Sequence, residues 1–379
     1  ICTARSMACS RASRANGSTT SARASTRGIT TTISTCRSST RCSRTSTRPT
    51  RAMRRKPPRA ACRCTRWRRH DAMARAHEML TVQSGDVKLA VYVSGSRRAP
   101  PLILVHGYPD SAAVWAPIRA RLAKRYRVIA YDVRGAGASD APRRRADYTL
   151  ERLAADLKAV ADATCGGRPF HLVGHDWGSI QCWEAVTDPA FRGRIASYTS
   201  ISGPCLDHVF RAKMRLKQSL KSWYIAFFHL PLVPSLVWRL GGAALWPRWL
   251  QLTERVRAER DPVQLKNALN GLQLYRANFI ARARKPRERY AQAPVQILVP
   301  VRDRYVTPEM SVDLDRWLGD HVREEIDGTH WIVLRHPDMI ASRIDRFASA
   351  QERPPLTPVA ARVQRTAGAG AGRRLNSVS

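Results

Sequence analysis

The sequence predicts an α/β domain built on a mostly parallel, doubly wound sheet, with a helical cap inserted into it. Three observations carry that prediction. From about residue 77, short continuous apolar runs alternate with amphipathic stretches. One run closes in Gly174-His-Asp-Trp-Gly178, whose two glycines permit a sharp strand-to-helix turn. The alternation stops between residues 204 and 293 and then resumes.

Taken in order, Val82 to Ser94 alternates and reads as a hairpin turning at Gly85-Asp86. Pro101 to Val105 is continuously apolar, as a strand buried on both faces must be, and it ends in His106-Gly107-Tyr108-Pro109-Asp110. A helix is expected over Ala112 to Ala123. A second buried strand, Arg127 to Tyr131, ends in Asp132-Val-Arg-Gly-Ala-Gly137. Residues 149–164 place Leu150, Leu153, Leu157 and Val160 on one helical face. Phe170 to Val173, Arg194 to Ser202, Val295 to Val301 and Arg323 to Ile326 supply the remaining strands, and Pro337 to Ala350 a closing helix. Alternating units of this length wind into a parallel sheet.

The interruption, 204–293, is helical, aromatic and basic. Trp223 to Trp238 holds no Lys, Arg, Asp or Glu, but it is broken by Pro231 and Pro234 and is too short to span a bilayer. It reads as the apolar lining of the cap, with contact to a lipid surface as the alternative.

The 379 residues carry a formal charge of +36, and 44% are hydrophobic, enough for a proper core. Half of the charge sits in residues 1–76, which hold 19 Lys/Arg and one acid, Asp71. That segment is rich in Ser, Thr, Arg and Ala and cannot bury enough surface to offset the entropy of ordering, so it is expected to be a disordered basic tail. The chain starts with Ile, and its first 75 or so residues are expected not to be a natural coding extension. Core segments 77–203 and 294–350 flank the cap, and 351–379 is a second expected disordered tail. Its Gly368-Ala-Gly-Ala-Gly372 run lacks the preceding strand and following helix of a dinucleotide-binding turn. Cys2, Cys9, Cys36, Cys42, Cys62 and Cys64 lie in the basic tail without zinc-site spacing. Cys165, Cys182 and Cys205 are too few and scattered for a disulfide framework, so the expected compartment is the reducing cytoplasm.

The chemistry gathers at strand ends. In a strand-to-helix elbow the central residue is the nucleophile, and the next residue, Trp177, lends its backbone N–H to an oxyanion hole. Here the centre is Asp176. A carboxylate can attack an sp³ carbon, displace oxygen or halide and leave an alkyl ester. Asp303 and His330 follow later strands in the chain order nucleophile, acid, histidine, completing an expected Asp-His-Asp triad.

Residues from about 80 to 350 resemble an epoxide hydrolase of the α/β-hydrolase fold, close to the hydrolase half of hydrolase–short-chain-dehydrogenase fusion proteins. His106-Gly-Tyr-Pro109, Asp132-Val-Arg-Gly-Ala-Gly-Ala-Ser139, Gly174-His-Asp-Trp-Gly-Ser179 and Gly328-Thr-His-Trp331 carry the resemblance. It implies a second oxyanion donor in the Tyr108 N–H, and two cap tyrosines, Tyr224 and Tyr275, that hydrogen-bond and protonate the epoxide oxygen. It also implies that Asp176 forms an ester, that His330, oriented by Asp303, activates water to hydrolyse it, and that no metal or cofactor is needed. Trp223, Phe227, Phe228 and Trp331 are the expected substrate-binding residues, and a lipophilic epoxide and water the expected partners.

The nearest rival is a haloalkane dehalogenase with the same nucleophile, but Tyr108 stands where that family's halide-binding Asn would. Basic content alone supports only salt-sensitive, non-specific contact with nucleic acid. A homodimer is compatible with the sequence and is not read from it.

Overall fold

The computed structural model describes residues 78–352 apart from 213–217, 219 and 220. The basic tail 1–76 with its six cysteines, and the C-terminal stretch from 353 with Gly368–Gly372, lie outside the described residues.

Eight strands form one sheet in the order β1-β2-β4-β3-β5-β6-β7-β8. They are β1 (Glu78–Ser84), β2 (Val87–Ser94), β3 (Pro101–Val105), β4 (Arg127–Tyr131), β5 (Phe170–His175), β6 (Ile195–Ile201), β7 (Val295–Pro300) and β8 (His321–Ile326). Only the β1·β2 and β2·β4 pairings are antiparallel; the pairings from β4 to β8 are parallel. The fold is therefore an α/β-hydrolase fold, and the sheet explains the apolar runs. Every residue of β3 and β4 is buried because helices cover both faces.

Side-chain alternation sorts the core into two layers. Ile103, Val105, Ile129 and Tyr131 face α2 (Leu150–Cys165) and α3 (Trp177–Val186). Leu102, Leu104, Val128 and Ala130 face α1 (Ala116–Leu122) and α11 (Pro337–Glu352). The helix expected over Ala112 to Ala123 is split, with a 3-10 turn at Ala112–Trp115 before α1. Pro117 explains the break: it has no N–H to donate and fits the first turn of a new helix. At the other end, α11 runs on through Glu352, two residues into the stretch read as tail.

Between β6 and β7 the described elements are helical: α4 (Leu206–Arg211), α5 (Trp223–His229), α6 (Val233–Val237), α7 (Ala243–Glu254) and α8 (Gln264–Arg284). Two further short helices among the described residues are α9 (Asp315–Leu318) and α10 (Ile332–Arg335).

The long α8 is pinned to the core through side chains that meet backbone. Gln264 Nε2 donates to the Pro109 carbonyl at 2.9 Å and Asn270 Nδ2 to that of Gly135 at 2.9 Å. Lys266 Nζ donates to the Gly137 and Ser139 carbonyls. Asn267 Oδ1 accepts from Gly137 N at 2.8 Å, and Asn278 Oδ1 from Leu150 N at 2.9 Å. Gln264, Asn267 and Asn278 are buried and Lys266 and Asn270 half-buried, and a buried donor or acceptor that lost its partner would cost about 1–3 kcal/mol.

Candidate active site

The carboxyl ends of the parallel strands converge on one crevice, where an open α/β sheet places its ligands. β5 leads into Asp176, which sits at φ 54° and ψ −126°. A positive φ is strained for a non-glycine residue and survives only where its surroundings hold it. Here the surroundings leave no slack. A Cβ on Gly178 would collide with the Val105 carbonyl oxygen, one on Gly203 with the Asp176 carbonyl, and one on Gly107 with the Asp176 carboxylate. Gly178→Ala should therefore lower stability by about 1–3 kcal/mol, since an overfilled core must shift its backbone. A calorimetric melting temperature unchanged from the parent would contradict that account of the turn.

The same elbow aims Asp176 into the crevice ahead of α3, whose first N–H groups lack helical partners and favour a negative charge. Asp176 Oδ1 accepts a hydrogen bond from Tyr108 N at 2.7 Å. Its Oδ2 lies 3.3 Å from His330 Nε2. On the far side of the imidazole, His330 Nδ1 lies 2.8 Å from Asp303 Oδ2. The other oxygen of Asp303 accepts from Tyr305 N at 2.7 Å and Val306 N at 3.0 Å. Asp176, Asp303, His330 and the Tyr108 amide, placed on separate loops by the sequence, are thus in one hydrogen-bonded chain. Trp177 opens α3, and its buried ring packs edge-on to Tyr275 with centroids 4.8 Å apart.

Electrostatics follow from that chain. Burial pulls the His330 imidazole down, but the charge of Asp303 and hydrogen bonds to Asp176 and Asp303 carry it well above the usual histidine range. Burial raises Asp303; the His330 charge, its hydrogen bond and the Val306 and Tyr305 amides outweigh it and hold the carboxyl low. Folding thus gains from a protonated His330. That gain is full below the unfolded value of about 6.5 and is lost as pH rises through the higher folded one. Removing the Asp303 charge should flatten this part of the stability–pH curve, which denaturant titration across the range would read.

Two neighbours that sequence reasoning did not assign hold the loop. His175, fully buried and pushed down to about 4 by burial and the His330 charge, hydrogen-bonds the His330 carbonyl through Nε2 at 2.9 Å. Asp110 Oδ2 accepts from the Trp331 indole N–H at 2.9 Å, and burial foremost raises that carboxyl to about 7.

Above the carboxylate lies an apolar cavity of about 370 Å³. The sequence-predicted cap and binding side chains all reach its wall: Tyr224, Tyr275, Trp223, Phe227, Phe228 and Trp331, with Asp176 and His330 at its base. Burial, then the Asp176 and Asp303 charges, push the Tyr224 phenol well above its ordinary value. Burial, then Tyr224 and Asp176, do the same for Tyr275. Both phenols therefore stay protonated beside the carboxylate, and their rings meet edge-on at 6.1 Å.

The sequence reading missed Trp238, Trp246, Trp249 and Tyr305 on the same wall. Tyr305 had a signal in its position two residues after Asp303; the tryptophans had none beyond their number. The apolar run Trp223 to Trp238 divides between two roles. Tyr224, Phe227, Phe228, Val237 and Trp238 line the cavity, whereas Leu230, Leu232, Val233 and Leu236 are exposed.

A profile of the alpha/beta hydrolase fold family matches residues 100–337. A Mycobacterium tuberculosis protein named probable oxidoreductase EphD is 32% identical over 282 residues, covering 69% of this chain and 48% of that protein. The chain thus spans about half the length of this mycobacterial relative. Mouse epoxide hydrolase 4 is 26% identical over 324 residues, 80% of this chain and 86% of the relative. The crystal structure of Bacillus megaterium epoxide hydrolase with an inhibitor superposes with a TM-score of 0.63 at 19% identity, covering 71% of this chain and all of that one.

Proposed function

Because the chain belongs to the alpha/beta hydrolase fold family, we propose that this hydrolase is an epoxide hydrolase working through an ester on Asp176. One observation carries the reading: a carboxylate paired with His330 shares an apolar cavity with two protonated phenols, Tyr275 buried and Tyr224 half-buried.

The atoms suggest the division of labour. Oδ1 is held by the Tyr108 amide, so Oδ2 attacks the ring carbon and the carbon–oxygen bond breaks. Tyr224 and Tyr275 receive the departing oxygen, one giving up its proton and the other donating a hydrogen bond. Esterification removes the Asp176 charge, one of the two that hold His330 protonated. The imidazole then releases its proton, which neutralises the phenolate. Neutral His330, oriented by Asp303, takes a proton from water, and hydroxide adds to the ester carbon. The tetrahedral oxyanion stays on Oδ1, facing the Tyr108 and Trp177 amides. As it collapses, the departing alkoxide takes the proton held by His330, the Asp176 acid returns its own proton to His330, and the carboxylate and a free vicinal diol result.

This order sets a pH signature. Ester hydrolysis should accelerate as pH rises through the His330 ionisation, while alkylation, which uses no base, should not share that rise. Stopped-flow resolution of the two phases would test it, and a common profile for both would refute the separate role of His330.

The same geometry weighs against halide displacement. Tyr108 stands at the position of the halide-binding Asn, and no Asn is among the described residues lining the cavity. Diol formation without halide release on a mixed panel of epoxides and haloalkanes is the expected outcome; halide release alone would reverse the assignment. The half-length match to a relative named as a probable oxidoreductase supports reading this chain as the counterpart of the hydrolase half of a fusion protein. No step of the proposed reaction draws on NAD(P).

A further inference from the structure

The outer face of the cap is apolar where a monomeric enzyme would ordinarily be polar. Leu232, Leu240 and Leu252 are 80%, 78% and 81% exposed, and Trp223 and Trp249 are 68% and 49% exposed. Exposed apolar side chains concentrated in one segment in this way mark a contact site. Its charge has one sign. Between Ser222 and Ala258 the cations are Arg239, Arg248, Arg255 and Arg257, all exposed, and the sole acid is Glu254, which is fully buried.

Leucines and tryptophans interspersed with arginines, with the first exposed carboxylate beyond them at Glu259, match the chemistry of a helix that lies in the plane of an anionic bilayer. No single helix among the described residues is long and apolar enough to cross a membrane, and α5 is bent 96° from the α6–α7 segment. The two segments together reach that length and apolarity, but the bend takes them off a common axis. Trp223, Leu245 and Trp249 belong both to this face and to the rim of the catalytic cavity.

We propose that α5 to α7 form a docking face for an anionic membrane surface, which brings the cavity mouth against the lipid so that apolar substrate passes from bilayer to Asp176 without crossing water. The docking stands independently; the delivery of substrate rests on the epoxide-hydrolase reading.

The test is flotation of the full chain with vesicles of phosphatidylcholine containing phosphatidylglycerol at physiological ionic strength, with a leucine variant that keeps every basic residue as the control for charge outside the face. The probe variant combines Leu232→Glu, Leu240→Glu and Leu252→Glu, none of which lines the cavity. Wild type should stay with the vesicles, and the variant should bind at least about tenfold more weakly. The variant's melting temperature and its turnover of a water-soluble epoxide should match wild type, while turnover of a vesicle-dissolved epoxide should fall with binding. Equal flotation of both proteins, or none of the wild type, overturns the docking face. A wild-type dimer that the variant converts to monomer, with no flotation, would show that the face joins two copies instead. If neither protein opened any epoxide, the catalytic reading would fail while flotation still decided the docking.

Discussion

Asp176→Asn is expected to lower diol formation by at least about 10⁴-fold, because removing a covalent nucleophile leaves only binding and the oxyanion donors. The fold should survive, since the amide keeps an oxygen for the Tyr108 N–H to meet. The stronger form of this experiment follows atoms. One turnover in ¹⁸O-water should place the label in Asp176 and release an unlabelled diol, because water attacks the ester carbon and not the substrate. Label in the diol of the first turnover would mean direct hydration of the epoxide, and the ester would have no part in it. His330→Gln complements this, because alkylation needs no base and ester hydrolysis does. The protein's intact mass should then rise by that of one epoxide and stay raised.

The second large effect belongs to the cap phenols. Tyr224→Phe and Tyr275→Phe should each slow alkylation by about 10²–10³-fold, the usual cost of removing one donor from a developing oxyanion. The double variant should lose more than either alone. Both substitutions keep the ring, and so keep the edge-on packing of Tyr275 against Trp177 and Phe228. The discriminating measurement is which phase slows. Loss confined to alkylation assigns the hydroxyls to the leaving oxygen; equal slowing of ester hydrolysis would reduce them to wall packing.

How much of this was legible in the sequence depended on how local each signal is. β3 and β4 were readable to the residue, because burial on both faces writes a continuous apolar run. β1 begins at Glu78, four residues before the expected Val82, because an edge strand with an exposed face keeps only weak alternation. Asp176 was readable because its strained turn demands glycines at fixed offsets. His330 and Asp303 followed from chain order, though their 2.8 Å contact is a product of the whole sheet. Trp238, Trp246 and Trp249 were not readable, since which face of a cap helix turns inward is set by packing and not by any motif. The support given by His175 and Asp110 was hidden for a related reason: each acts on the loop that carries His330, and only the fold brings them to it.

The pinning of α8 separates two properties that usually trade against each other. Tyr275 stands on a helix whose polar side chains are bolted to core backbone, while α6, α7 and the helical turn Trp238–Gly242 between them close the cavity mainly through apolar packing of Val237, Trp238, Leu245 and Trp246. On the proposed reading, one wall fixes the proton donor and the other sets how large a guest is admitted. Replacing Val237 or Leu245 would change the range of guests while leaving the donor in place. In evolutionary terms an enzyme built this way could drift between substrates by altering α6 and α7 while the chemistry proposed for Asp176 and Tyr275 stayed in place.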